Sequence, residues 1–403
     1  MGELRKKSEG ITLIALIITI IVLLILAGVT IAALSGDNGI LTRAKEAKEK
    51  TEQVQKQEEK TLSNLEEILN NATSFNNINT VDTNPAGAMP ANVAILENDA
   101  NKGIVIKDKN NNEWVWVEVP KTTVFSDLAI DITETLTEEN YIAIKNKLIA
   151  YAITYRDSYS DEWYDGCGLT SEEYTEKYKK MLKSVYTYGG FWIGRYEAGI
   201  EGSIDDVSKA RTSQSDIKIG TSPKAISQRD AIPYNYVCCG EAQALAKEMI
   251  PDSNYTSSLM FGIQWDLVCK FLEVKSDLTI ADIKSDSSSW GNYSNVVRTI
   301  MSDKAKQSKN YGENWEAITG IKPKVSIILS AGASKETNKM NIYDLAGNEW
   351  EWTLETGSDP GSACVCRGGD YIFQGSNDKA YSRYASSANI NNNGIAFRGT
   401  FYK

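Results

Sequence analysis

Twenty-four consecutive residues, Ile11–Leu34, carry no charge. A helix of that length rises ~1.5 Å per residue and crosses a ~30 Å hydrocarbon core. Arg5, Lys6 and Lys7 lie in the basic leader, residues 1–10. The pattern predicts a single-pass protein of the cell membrane, N-terminus cytoplasmic and head extracellular, with the transmembrane helix over 11–34. The run is too long for a cleaved secretory signal and lacks an A-x-A site. Residues 35–72 predict a helical stalk, rich in Ala, Glu, Lys and Gln, with Leu62, Leu65 and Leu69 at helical spacing. Residues 73–93, "TSFNNINTVDTNPAGAMPANV", read as a linker.

The remaining 94–403 is long enough for one large domain. A net charge of -10 excludes a nucleic-acid partner, because phosphate neutralisation needs clustered Lys and Arg. The chain has no histidine, which removes imidazole bases, Cys-His and Ser-His pairs and every His-ligated metal site. Cysteines 167, 238, 239, 269, 364 and 366 show no CxxC spacing and predict buried thiols rather than a zinc site. "KGIVIKDKNNNEWVWVEVP" reads as two strands about an Asn-rich turn, with Val115, Val117 and Val119 alternating against Trp114, Trp116 and Glu118. "GGFWIGRYEAG" (189–199) reads as a strand, and 240–250 and 262–273 as helices. Residues 136–185 carry helical patterns broken near Cys167, with no role assigned. The class is α+β, rich in loops.

The N-terminal residues resemble type IV prepilins and pseudopilins: basic residues, Ser8-Glu9-Gly10, then "ITLIALIITIIVLLILAG". The resemblance implies peptidase cleavage between Gly10 and Ile11, and other pilin-like subunits as partners. Ala15 stands where that family carries the glutamate that pairs with a neighbour's amino terminus. A plain membrane anchor is therefore the reading kept beside filament assembly.

Residues 94–403 resemble the formylglycine-generating-enzyme-like family, whose domain has a C-type-lectin-like fold. The motifs occur in order: "GFWIGRYEAG", "IPYNYVCCGEAQALAKEM", "SSLMFGIQWDLVCKFL", "NIYDLAGNEWEWT", then "RGGDY" and "IAFRG". Oxygen-dependent members use two cysteines after the RGG motif to hold copper; here Phe373 and about Asp378 stand at those positions. Members of another branch, the sulfoxide synthases, bind iron through histidines. The resemblance thus implies a non-catalytic relative. It also implies a structural Ca²⁺ held by Asp344, Glu351 and the carbonyls of Gly347 and Glu349. Trp350 and Trp352 are expected in the core.

Between Gly369 and Phe397 the composition shifts to Tyr, Ser, Asn, Asp and Gly, the residues of adaptable binding surfaces. The arrangement resembles the variable proteins of diversity-generating retroelements. Asp370, Tyr371, Phe373, Asn377, Tyr381, Tyr384, Asn389 and Asn391 are the candidate contacts. The expected function is a membrane-anchored receptor or adhesin binding an extracellular protein or glycan through a tail open to diversification. The alternative is a minor pilin or pilus-tip subunit with the same head, and a related enzyme is the third reading.

Overall fold

The computed structural model describes residues 15–29, 45, 47–57, 78–309 and 312–403, and the chain divides into two units after Ala72. In the first unit residues 15–29 and 47–57 are helical and their side chains exposed. The turns are tied locally: Thr19 and Thr51 hydroxyls donate to the carbonyls of Ala15 and Ala47, and Lys48 pairs with Glu52 one turn on. Among the described residues no helix is long and apolar enough to cross a membrane. This corrects the expected single-pass membrane placement. Gly10, Ile11 and the stalk leucines lie outside the described residues.

The second unit is built on a six-stranded antiparallel sheet. Its order is Ala94–Glu97, Val105–Lys107, Glu113–Glu118, Gly190–Gly194, Gly399–Tyr402 and Thr256–Leu259. Trp114, Val115, Trp116 and Val117 are all buried, so the strand shows no polar face. The expected alternation fails because both faces of this strand are covered. Trp114 meets Phe401 edge-on at 4.9 Å between ring centroids, and Trp116 meets Trp192 at 5.1 Å. Residues 78–93 are not a linker: Ile78, Ala88, Met89 and Val93 are buried, and Trp192 Nε1 donates to the Ala88 carbonyl at 3.1 Å.

The unassigned stretch 136–185 supplies two helices, Glu138–Tyr151 and Ser171–Tyr188. Each begins with a capping box, from Thr137 and Asn140 and from Thr170 and Glu173. Gly189, at φ 75°, ends the second in the left-handed conformation that glycine adopts without penalty. Tyr174, Tyr178, Met181, Leu182 and Val185 form its buried stripe. The expected helices over 240–250 and 262–273 are found at Cys239–Glu248 and Gly262–Lys275. The chain is a mixture of helix and sheet, as expected.

A second, four-stranded sheet carries the tail, in the order Arg383–Ser386, Cys364–Arg367, Trp350–Thr356, Ile395–Phe397. Beneath it lies a buried ionic network. Arg367 donates to Glu355 at 2.7 Å and to Asp266 at 3.0 Å. Arg383 grips the same two carboxylates at 2.9 and 2.8 Å. Arg156 bridges Asp266 and Asp161, both at 3.0 Å. Asp161 also accepts from the Gly262 and Ile263 amides, capping the helix that carries Asp266. Three guanidiniums thus face three carboxylates with almost no solvent contact.

Removing one member of such a network leaves an unpaired buried charge, which costs about 3–5 kcal/mol. Arg367→Met is therefore expected to lower the urea midpoint by that equivalent with an unchanged m-value. A change under about 0.5 kcal/mol would contradict this account.

Candidate functional site

The tail leaves the Cys364–Arg367 strand through two left-handed glycines, Gly368 (φ 97°) and Gly369 (φ 82°). A Cβ at Gly368 would stand 3.3 Å from the Trp265 ring, and one at Gly369 would stand 2.6 Å from the Asp378 carbonyl. The double glycine therefore lets the chain pass the ring and fold back on itself. Trp265 Nε1 then donates to the Ala380 carbonyl at 3.0 Å and holds the returning segment.

The loop does not present every residue expected of it. Asp370 is 5% exposed, and its Oδ1 accepts from the amides of Ile372 and Phe373 at 2.9 and 3.4 Å. Tyr371 is 1% exposed and its amide is held by the Asn348 carbonyl. Both belong to the frame, which corrects their assignment as display residues. Phe373 is 50% exposed, and its carbonyl accepts from the amide and hydroxyl of Ser294 at 3.0 and 2.9 Å. Asn377 and Asn389 are exposed. Tyr384 is 50% exposed and rests on Trp350 at 5.8 Å, ring to ring. Tyr381 is half-buried, its hydroxyl donating to Asp157 at 2.7 Å and its ring beneath Lys284. The Asn391 carbonyl is tied to Gln214 at 2.6 Å.

One exposed aromatic was missed. Trp163, 42% exposed, lies in the unassigned stretch. With Leu169, Ile217, Cys238 and Asn389 it lines an open groove of about 880 Å³. Only its position as a tryptophan between acidic residues in "DEWYDG" could have drawn attention to it.

The cysteines form no reactive pair at the tail. All six are free, and Cys364 and Cys366 are buried on the strand before the glycines, as expected. The Tyr164 hydroxyl lies 3.0 Å from Cys364 Sγ and 3.3 Å from Cys239 Sγ. Burial pushes the thiols of Cys364 and Cys366 well above the usual range, which suppresses the nucleophilic thiolate. Phe373 and Asp378, at the implied copper positions, offer no sulfur.

Around the "YDLAGNEWEW" turn, four buried carboxyl groups meet one guanidinium. Glu351 is gripped by Arg398 through both oxygens, at 2.6 and 3.1 Å. Asp344 Oδ2 accepts from the Gly332 amide at 2.6 Å. Glu197, which was not singled out in the sequence, accepts from Asn348 Nδ2 at 2.7 Å, while Asn235 Nδ2 donates to Glu349 at 3.0 Å. Glu197 Oε1 and Glu349 Oε2 are buried without a donor. Burial raises the pKa of all four, most strongly for Glu197 and Glu349, and neighbouring carboxylates add to this for Glu197, Glu349 and Glu351. Gly347 stands at φ 71° because a Cβ there would meet the Asn292 carbonyl at 2.3 Å. Among the described residues no group of three or more Asp, Glu, His and Cys side chains is arranged to hold a metal ion. The donor set is partly engaged, since Asp344 and Glu351 already have protein partners.

Residues 79–400 match the family model described as the sulfatase-modifying factor enzyme 1-like domain, FGE-sulfatase. Among solved structures, the chain is similar to that of CarF at 12% identity and a TM-score of 0.32, over 54% of this chain and 87% of that one. It is similar to Treponema denticola variable protein 1 at 14% identity and a TM-score of 0.28, over 53% of this chain and 85% of that one. Both likenesses are too remote to carry a functional inference. No curated protein matches the chain.

A buried lysine supports the Phe373 platform. Lys322 is buried and donates to the carbonyls of Tyr293 and Val296 at 2.6 and 3.3 Å, fastening the loop that holds Phe373. Burial, and secondarily the Arg298 charge, pushes its ammonium down to about 7 from 10.5. Unfolding therefore takes up a proton between those values, so stability rises with pH across the window. The contribution is complete above about 10.5 and lost as pH falls towards 7. Lys322→Met is expected to flatten this rise in denaturation midpoints measured at about pH 7, 8.5 and 10. An unchanged slope would remove Lys322 as its cause.

Proposed function

The chain belongs to the sulfatase-modifying factor enzyme 1-like family, and from that premise we propose that it is a ligand-binding member whose tail face, rather than a catalytic centre, carries the function. Fold alone does not decide this, because one scaffold hosts many activities. The observation that carries the reading is the sorting of the tail. Phe373, Asn377, Tyr384 and Asn389 are exposed, while Asp370, Tyr371, Arg367 and Arg383 are locked into the frame. Exposed aromatics give rigid contact area and the amides give adaptable hydrogen bonds. A frame fixed by buried ion pairs lets these side chains change without moving the backbone. The non-catalytic part of the proposal rests on Phe373 and Asp378 at the implied cysteine positions and on the raised thiol pKa values. The ligand class that suits the surface is an extracellular protein or a glycan, with specificity set by the residues at the four exposed positions. A calcium ion at Asp344, Gly347, Glu349 and Glu351 belongs to the same proposal as a structural group. It would supply the charge that four carboxyls against one guanidinium lack, and it requires Glu351 to share its carboxylate with Arg398.

The test uses the full chain on a glycan array and a panel of purified extracellular proteins. A variant carrying Phe373→Ala, Asn377→Ala, Tyr384→Ala and Asn389→Ala is expected to melt within a few degrees of the parent and to lose the parent's binding signals. Retention of those signals would overturn the assignment of this face. Incubation with copper, oxygen and a cysteine-containing peptide is expected to give no thiol oxidation above a protein-free control, and turnover would overturn the non-catalytic reading.

A further inference from the structure

A second set of buried oxygens lies at the foot of the tail. It shares only Glu349 with the implied calcium set, and through its side chain rather than its carbonyl. Asn235 Nδ2 donates to Glu349 Oε1 at 3.0 Å and to the Asn393 carbonyl at 3.3 Å. The same carboxamide leaves Oδ1, and the same carboxylate leaves Oε2, buried with no donor. Glu349 is 0% and Asn235 1% exposed, so bulk solvent does not reach the unpartnered atoms. Asp370 reaches this place from the opposite side. Its Oδ1 is held by two loop amides, while its Oδ2 lies 3.5 Å from where a Cβ of Gly394 would stand. Gly394 follows Asn393 directly, so Asn235 and Asp370 both reach the 393–394 segment, and Glu349 joins them through Asn235.

Neither Glu349 nor Asp370 forms an ion pair among the described residues, although each is almost fully enclosed. A buried carboxylate without a countercharge is costly, and an unpaired carboxamide oxygen adds to that cost. Two carboxylates and a carboxamide oxygen are the donors a hard divalent cation takes, with water completing the shell. A bulky organic cation does not fit, because the donors are enclosed.

We propose that Glu349, Asp370 and Asn235 form a divalent-cation site at the foot of the tail, separate from the Asp344–Glu351 set. Through Asp370 an ion here would fix the turn that carries Phe373, tying the display loop to the 392–394 turn on its far side.

The test is calorimetric titration of Ca²⁺, then Mg²⁺, into the chelator-treated full chain, with thermal unfolding as a second readout. Glu349→Gln and Asp370→Asn keep shape and remove charge. Each is expected to weaken one class of sites at least about ten-fold and to cancel that ion's share of the rise in melting temperature, while Asp344→Asn retains that class. Should Glu349→Gln fail to fold, Asp370→Asn carries the comparison. The proposal is overturned if the parent binds neither ion up to about millimolar concentration. It is equally overturned if both charge-removing variants bind like the parent, or if only Asp344→Asn loses binding.

Discussion

Three arginines and three carboxylates packed out of water determine how the tail can be used. Arg367 stands immediately before the double glycine and Arg383 on the strand after the loop, and both hold Asp266 and Glu355. The loop between them is therefore clamped at both ends to the same two acids. Arg156 extends the clamp to Asp161 and so to the first turn of the Gly262–Lys275 helix. A buried network of this kind adds little net stability over apolar packing. Its geometric effect is clear, because each guanidinium fork accepts few orientations of its carboxylates.

The second buried charge set behaves differently. The clamp is balanced, three against three, whereas around the turn Arg398 pairs with Glu351, and Glu197, Asp344 and Glu349 form no ion pair among the described residues. Asn348 partly compensates. Its side chain accepts from Asn292 and the Leu329 amide while donating to Glu197 and the Leu329 carbonyl, which uses its full hydrogen-bonding capacity. The remaining deficit is what a bound cation would relieve, and it sits directly behind the tail.

Local signals in the sequence were read well where they were short-range. The helices at Cys239–Glu248 and Gly262–Lys275 follow from patterns within a dozen residues, and the burial of Trp352 from its bulk and its place in the family motif. Readings failed where burial depended on distant partners. Asp370 and Tyr371 have surface composition, yet an Asx-type turn and the Asn348 carbonyl take them inside. The clamp joins residues more than one hundred positions apart, as Arg156 and Asp266 are, which no spacing rule detects. Residues 136–185 hide a core contribution because the first two turns of their buried stripe are carried by Tyr174 and Tyr178 among charged neighbours, before Met181, Leu182 and Val185. The apolar run at 11–34 was read from its length, its lack of charge and its basic flank, and among the described residues no helix is long and apolar enough to cross a membrane.

The strand Gly399–Tyr402 sits between Gly190–Gly194 and Thr256–Leu259 in the large sheet. During synthesis those two neighbours emerge long before it and cannot pair with each other across the gap it will fill. The sheet stays in two pieces until residue 402 has left the ribosome, and the exposed edges on either side must be kept from alternative partners meanwhile. Ordering of the head is thereby made dependent on residues that follow the tail. A chain truncated or frame-shifted within 370–398 would lack the strand that joins the sheet.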